Sequence, residues 1–328
     1  LKPTRPADLD CVVMDDELSV TVAGGGGFMR RTTDGGATWS WFIHPMMAEI
    51  VDLVNLGGGK LFACSGKNNA VIRSTNSGTT WSLPTGATTA SSWALKQALT
   101  SGTVRGSTLA QHGTHKNTFY CVLGAVLYKS QNRGDTWTQI GTISTPAEGV
   151  PSKTNAFYVS PSDSNLMVAA TGTADRIVRS TNGGATWTTT MLKDFTEYGV
   201  PLEMDINNPD HMLFAPEDQK VYVSNDFGAT WATLSSQPSF RSPCDIQILA
   251  DTANVVWVGD GVTGIGNGVM FRSTDGGLTF TTKFTVSGSE IPMISSSPLD
   301  SRVGFSTAWG SGGIRVTQDH GNVWTQGP

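Results

Sequence analysis

Residues 180–187 read Ser-Thr-Asn-Gly-Gly-Ala-Thr-Trp, and versions of this pattern occur seven times along the 328-residue chain. Each copy has a hydroxyl residue, then Asp or Asn two positions later, Gly four positions later and an aromatic residue seven positions later. The average spacing is about 47 residues, and repeats of this length are typical of propellers and solenoids. The copies begin at Thr32, Ser74, Ser130, Ser180, Ser224, Ser273 and Thr317.

Each repeat also contains four short segments with the pattern of β-strands. In the repeat that starts near residue 200, these segments are 201–206, 211–215, 220–224 and 230–234, and turns rich in Pro, Asn, Asp and Gly separate them. The repeated pattern falls between the third and fourth strands. Radial repetition of such units leaves only short, protected sheet edges. The sequence therefore predicts an all-β fold, a seven-bladed β-propeller with four antiparallel strands in each blade.

The repeats extend from one end of the chain to the other, and no linker or change in composition divides them. A single propeller domain over residues 1–328 is therefore predicted. The blades are expected at residues 9–44, 48–84, 94–142, 154–192, 200–235, 244–284 and 290–328.

The chemistry of the pattern indicates a structural role. The side-chain oxygen of Asp or Asn can accept hydrogen bonds from backbone amides further along a turn. Three copies carry Asn and four carry Asp, which an acid, a base or a metal ligand would not tolerate but a hydrogen-bond acceptor would. We therefore predict seven structural turns, centred on Asp34, Asn76, Asn132, Asn182, Asp226, Asp275 and Asp319.

This pattern resembles the Asp-box, or BNR repeat, of sialidases, xyloglucanases, sortilin-type receptors and photosystem assembly factors. The resemblance covers the whole chain, and residues 160–187 look most like the blades of xyloglucanases and sortilin-type proteins. It implies a propeller but says little about function, because enzymes, receptors, lectins and virion proteins share the repeat. A sialidase would need an Arg-Ile-Pro motif, which the sequence lacks. A xyloglucanase places one catalytic aspartate on each of two propellers, whereas this chain supplies one propeller.

Composition excludes some classes of function. Charged residues make up 15% of the chain and the net charge is −5. Because no Lys/Arg cluster is present, the chain lacks the basic surface of a nucleic-acid binder, and no apolar run is long enough to span a membrane. The four cysteines show no metal-binding spacing, so no metal and no cofactor are predicted. The low charge and many hydroxyl residues favour an extracellular or virion-associated location.

Candidate site residues lie on the propeller face opposite the repeated turns. Four carboxylates fall near the starts of predicted inner strands and would ring the mouth of the central channel: Glu49, Glu203, Asp245 and Glu290. Carboxylates held close together raise one another's pKa, which can produce an acid–base pair or a cation site. Alternatively, each pairs with a nearby Arg or Lys or points into a solvated channel.

Two further regions are candidates for ligand binding. The longest predicted connection between blades, after residue 81, carries Trp93, Arg105, His112 and His115. An exposed Trp with nearby donors could form a platform for a sugar, and such loops often carry function, although Trp93 could equally anchor the loop to the propeller. Trp309 is a second candidate aromatic contact, and burial is the alternative for it.

Three functions remain open from the sequence. The leading hypothesis is a non-catalytic propeller that binds a carbohydrate or a protein surface, as in a phage tail or a secreted protein. The first alternative is a carbohydrate-active enzyme, a glycoside hydrolase or lyase, that uses the carboxylates at the channel mouth. The second alternative is a scaffold for the assembly of a complex.

Overall fold

The computed structural model describes most of the chain, and the described residues form 27 β-strands. The described residues are 9–14, 16–24, 28–43, 50–55, 58–65, 71–82, 109–111, 117–123, 125–132, 136–151, 153–172, 175–195, 201–261, 266–297, 300–309 and 312–327. Within them, no helix is long and apolar enough to cross a membrane.

The strands follow one another along the chain with short connections in most of the described parts. They are β1 (Leu9–Met14), β2 (Val20–Gly24), β3 (Phe28–Thr32), β4 (Ser40–Ile43), β5 (Ile50–Asn55), β6 (Leu61–Ser65), β7 (Val71–Ser74), β8 (Leu109–Gln111), β9 (Phe119–Leu123), β10 (Val126–Ser130), β11 (Thr138–Thr142), β12 (Lys153–Val159), β13 (Met167–Gly172), β14 (Arg176–Ser180), β15 (Thr188–Leu192), β16 (Leu202–Met204), β17 (Met212–Phe214), β18 (Lys220–Ser224), β19 (Ala232–Ser236), β20 (Pro243–Leu249), β21 (Thr252–Asp260), β22 (Asn267–Ser273), β23 (Thr281–Ser287), β24 (Ile294–Ser296), β25 (Gly304–Ala308), β26 (Gly313–Thr317) and β27 (Thr325–Gln326).

The strands form six blades of four antiparallel strands each, in which every strand pairs with its neighbour in sequence. These blades are β1–β4, β8–β11, β12–β15, β16–β19, β20–β23 and β24–β27. The prediction of seven four-stranded blades is therefore wrong. Strands β5, β6 and β7 form a three-stranded sheet. After the repeated turn of this sheet, the described residues add one isolated bridge between Arg73 and Ser82 and no fourth strand.

The hydrophobic core lies between neighbouring sheets. Alternation of side chains along β14 sends Val178 into a cluster with Leu127 and Tyr120 of the preceding sheet, whereas Ile177 joins a cluster with Phe214 of the following sheet. Inner strands of neighbouring sheets contact each other around much of the axis, as β1 does with β5 and β24, and β20 with β16 and β24. Met293, just before β24, packs against clusters from three different parts of the ring. We conclude that its side chain lies in the central channel.

Side-chain hydrogen bonds close the repeated turns, as the turn from Ser180 to Trp187 shows. The Ser180 hydroxyl donates to Asn182 Oδ1 over 3.0 Å and accepts the amide of Gly184 over 2.9 Å. Asn182 Oδ1 also accepts the amide of Thr186 over 2.9 Å, and Trp187 Nε1 donates to the Gly184 carbonyl over 3.0 Å. In all seven copies the Asp or Asn Oδ1 accepts the amide four residues later.

The turns tolerate both Asp and Asn because the threonine hydroxyl can reverse its role. In the Asp275 turn, the Thr279 hydroxyl donates to Asp275 Oδ2 over 2.6 Å. In the Asn182 turn, Asn182 Nδ2 donates to the Thr186 hydroxyl over 2.9 Å. The same number of hydrogen bonds is made in both versions, which explains why a charge is not required.

Arginines connect some of these turns to the sheet before them. Arg179 Nε donates to the carbonyl of Phe227 over 2.9 Å, and Arg272 Nε donates to the carbonyl of His320 over 2.7 Å. Both acceptor residues have a positive φ, 53° and 57°, although neither is glycine. Arg31 makes the same bond to the carbonyl of Ser77, whose φ is 54°. Each of these bonds joins two neighbouring sheets through a strained backbone position.

We expect Asp275→Asn to keep nearly wild-type stability at pH 7, whereas Asp275→Ala should lose about 1–2 kcal/mol because the turn loses its acceptor. The hydrogen bonds from the Thr279 hydroxyl and amide lower the pKa of Asp275 to about 2, below its unfolded value of about 3.9. The carboxylate therefore stabilises the fold above pH ~4, and this contribution is lost as the pH falls toward 2. Urea denaturation at pH 7 and pH 3 measures both effects. Equal losses from Asn and Ala at pH 7 would show that the turn requires the charge.

We also expect Arg179→Met to lower the free energy of unfolding by about 1–3 kcal/mol, because the carbonyl of Phe227 loses a charged donor. Lys129→Met is the matched control. Lys129 directly precedes the hydroxyl residue of its own turn, as Arg179 does. In the next turn along the chain, however, Gly183 stands at the position equivalent to Phe227. Thermal and urea denaturation compare the two variants. A loss from Lys129→Met as large as that from Arg179→Met would contradict the proposed role of the arginine.

Candidate functional site on the link face

The two faces of the propeller differ in what they carry. One face holds the seven repeated turns. The other, here called the link face, holds the connections between sheets, such as residues 143–152, and the turns between second and third strands, such as residues 215–219. The inner strand of each sheet starts at the link face. The described candidate residues, Glu203, Asp245, Glu290 and Trp309, all lie at or near it.

Five of the predicted site residues lie outside the described residues, and their predicted roles stay predictions. They are Glu49, Trp93, Arg105, His112 and His115.

Glu203 in β16 faces Tyr158 of the neighbouring inner strand β12. The Tyr158 hydroxyl is 2.7 Å from the carbonyl of Leu202 and 3.0 Å from Glu203 Oε2. The phenol donates its one proton to both oxygens in a three-centre hydrogen bond, with the shorter arm to the carbonyl. Burial raises the pKa of Glu203 to about 8, although the hydrogen bond from Tyr158 lowers it, so that the carboxyl is mostly neutral at pH 7.

Asp245 in β20 is the second carboxyl of the channel. Its side chain is buried, and Asp245 Oδ2 accepts the amide of Ile294 over 2.7 Å, which ties β20 to β24. Burial raises the pKa of Asp245 well above its usual value, and the nearby Glu203 raises it further. The structure thus brings Glu203 and Asp245 close enough to interact electrostatically. Each also holds neighbouring inner strands together.

Glu290 and Trp309 lie together at another part of the link face. The Trp309 amide donates to the Glu290 carbonyl over 3.3 Å, and the Ser289 hydroxyl donates to the Trp309 carbonyl over 2.7 Å. Glu290 is buried, and its carboxyl lies beside Gly261. Trp309 is half-buried rather than fully exposed. These residues therefore form a backbone-linked pair, and the described contacts do not join them to Glu203.

Another buried carboxyl, which sequence reasoning missed, supports the link face. Asp260 at the end of β21 is fully buried and accepts the amides of Arg241 and Ser242 over 2.9 and 2.8 Å. Burial raises its pKa to about 6. These two hydrogen bonds hold in place the connection that leads into β20. The sequence did not indicate that Asp260 supports the fold, because its hydrogen-bond partners are backbone amides 18 and 19 residues away.

Two clefts on the link face were also missed. One, of about 200 Å³, lies between residues 143–151 and the strands β13 and β14, where Glu148 forms an ion pair with Arg176. The other, of about 530 Å³, is lined by Asp175, residues 192–194 and residues 217–218. Each cleft joins segments from neighbouring sheets that are far apart in sequence, so that no local pattern could indicate them.

Among the described residues, no group of three or more His, Cys, Asp or Glu side chains is placed to hold a metal ion. The described cysteines whose side chains are placed, Cys11, Cys121 and Cys244, are buried.

Comparisons with known proteins support the fold. Residues 125–244 match the family model of Sortilin-Vps10, described as sortilin, neurotensin receptor 3. Among solved structures, YCF48 bound to a D1 peptide is similar, with a TM-score of 0.66 and 18% identity over 97% of this chain and 95% of that chain. YCF48 from Cyanidioschyzon merolae gives a TM-score of 0.68 and 18% identity over 98% of both chains.

A GH74 xyloglucanase is similar to the same extent in structure. The enzyme from Xanthomonas campestris has a TM-score of 0.68 and 13% identity, over 96% of this chain and 52% of that chain. Together these matches show a β-propeller of the BNR type, as the resemblance in sequence predicted. At such identities they show the fold alone.

We expect the stability of the protein to decrease as the pH rises from about 4 to about 8, in part through Glu203. Its folded pKa of about 8 exceeds the unfolded value of about 4.3, so ionisation is disfavoured in the fold and the penalty is complete above pH ~8. Glu203→Gln stays neutral and its amide oxygen can still accept from Tyr158, and it should therefore gain stability relative to wild type between pH 5 and pH 9. Urea denaturation at both pH values measures the difference.

The direction of the Tyr158 hydrogen bond can be tested separately. In Tyr158→Phe the carboxyl loses the hydrogen bond from the phenol that lowers its pKa, so we expect the pKa of Glu203, followed by carbon-13 NMR of the carboxyl, to rise. A fall would show instead that a neutral Glu203 donates to the phenol oxygen.

Proposed function

We propose that this chain is a non-catalytic binding propeller whose link face binds a segment of another protein. The observation that carries this proposal is the state of the predicted catalytic carboxyls. Asp245 is committed to the Ile294 amide, and Glu203 contacts Tyr158 and is half-buried. The link face instead offers open clefts between blades, which suit a docked chain.

The predicted sugar platforms give glycan binding little support. Such a platform needs an exposed aromatic ring beside polar donors; Trp309 is half-buried with its backbone engaged, and Trp93 lies outside the described residues. A protein of the same fold, YCF48, has been solved with a D1 peptide bound, which supports the idea that such a propeller can hold a peptide. The proposed location is extracellular or virion-associated, on the basis of composition alone.

A carbohydrate-active enzyme is the second candidate, favoured by one observation. Glu203 and Asp245 lie close together in the channel, and both have a raised pKa. Strongly perturbed carboxyls are enriched in active sites.

We expect the purified protein to bind immobilised peptides, to be retained by no member of a glycan array, and to release no reducing ends from plant or bacterial polysaccharides. These three assays separate the candidates because each predicts a different positive result. Turnover that disappears in both Glu203→Gln and Asp245→Asn would establish the enzyme and overturn the proposal. Glycan retention without turnover would make the ligand a carbohydrate, and three negative results would favour an assembly scaffold.

A further inference from the structure

The two clefts of the link face flank the same strand end. Arg176, the first residue of β14, pairs with Leu192, the last residue of β15. The smaller cleft lies on the side of this pair that faces the preceding sheet, and the larger cleft lies on the side that faces the following sheet. We call this region, with both clefts and the exposed residues between them, the β14 rim.

The smaller cleft has the character of a pocket for one apolar side chain. Its walls include Ile143, Pro151 and Val178, and its volume is about 200 Å³. The neighbouring Val150 is 54% exposed. The charged side chains of this pocket neutralise each other, because Arg176 forms an ion pair with Glu148. An apolar group is therefore the occupant that such a pocket favours.

The larger cleft has an unbalanced charge. It is lined by four carboxylates, those of Asp175, Asp194, Glu217 and Asp218, and by a single ammonium group, that of Lys193. The ammonium is 2.9 Å from Asp218 and lies 5.5 Å from the centre of the Tyr222 ring. It is therefore directed at one carboxylate and one ring.

Between the clefts, the rim exposes an apolar side chain. Leu192 is 61% exposed, the highest value among the exposed large hydrophobic residues of the described chain. An exposed aliphatic residue beside concave, charged surface is typical of an interaction site rather than of a solvated strand end. The rim thus combines an apolar pocket, an exposed aliphatic ridge and an acidic cleft in that order.

We propose that the β14 rim binds an extended protein segment that carries an aliphatic or aromatic residue followed by lysine or arginine. The apolar side chain enters the smaller cleft, the backbone crosses Leu192, and the basic side chain enters the acidic cleft. Charge complementarity selects a basic segment over an acidic one. This inference rests on the proposed function, because it specifies where the protein ligand binds and what chemistry it has.

The test uses fluorescein-labelled ten-residue peptides with a Gly/Ser background, in which one Leu or Tyr precedes two lysines by one to four positions. Matched peptides replace the lysines with Glu, or the apolar residue with Ser. Fluorescence anisotropy with the full chain measures Kd. We expect the lysine peptides with an apolar residue to bind best, and their affinity to fall as salt screens the charges.

Variants of exposed residues locate the binding surface. Asp194→Lys should weaken the lysine peptides about tenfold through charge reversal, and Leu192→Ser should weaken them about fivefold through lost apolar contact. The matched controls are Asp210→Lys and Ile206→Ser, which make the same changes at exposed positions on the face of the repeated turns. These controls should bind as the wild type does. Circular dichroism and thermal denaturation verify that all four variants are folded.

The outcomes separate this inference from the proposed function. Loss of affinity in the rim variants alone supports the β14 rim. Peptide binding that is equal in rim and control variants, or equal for Lys and Glu peptides, overturns the rim assignment and leaves a binding propeller in place. Absence of all peptide binding, together with glycan retention or turnover, overturns both.

Discussion

The propeller depends on one hydrogen-bonded unit, the hydroxyl that accepts a glycine amide and donates to an Asp or Asn two residues later. In the copy at Ser180, this unit places Trp187 at the start of the outer strand, and Trp187 Nε1 then bonds to the Gly184 carbonyl. The ring is 1% exposed and lies in the cluster that joins the sheets β8–β11 and β12–β15. A local turn thus fixes the register of a hairpin and supplies packing between blades at the same time.

Variation within the turns follows from contacts between neighbouring sheets. In the six copies where it is described, the residue after Asp or Asn has a positive φ, a conformation that costs a non-glycine residue about 1–2 kcal/mol. The four copies with a side chain there all follow a copy with Arg directly before its hydroxyl; the pairs are Arg31 with Ser77, Arg73 with Arg133, Arg179 with Phe227, and Arg272 with His320. The three other copies have glycine: Gly35, Gly183 and Gly276. In the three described pairs, those of Arg31, Arg179 and Arg272, the arginine bond offsets the strain.

Repeats in the sequence reveal turns more surely than strands. The segment predicted at 220–224 coincides with β18, and the turn chemistry was predicted down to its acceptor atoms. The count of four-stranded blades was wrong because the repeated turn does not ensure a fourth strand. At Asn76 the turn is present, but the described residues after it pair only through one bridge, at Ser82. The sequence placed Glu203 and Asp245 at one channel. It could not indicate their partners, since Tyr158 is 45 residues from Glu203 and the Ile294 donor is a backbone amide that leaves no trace in a sequence.

Burial divides the carboxylates of the link face into two groups with different consequences. Asp245 and Asp260 accept backbone amides in the interior, and their raised pKa values show that they support the fold at a cost in desolvation. Asp194 and Glu217 are exposed at a cleft, so they keep their hydration until a partner displaces it. A cation that enters that cleft meets several carboxylates at once and little competing positive charge. We therefore propose that recognition depends on the exposed group, which the repeats do not share.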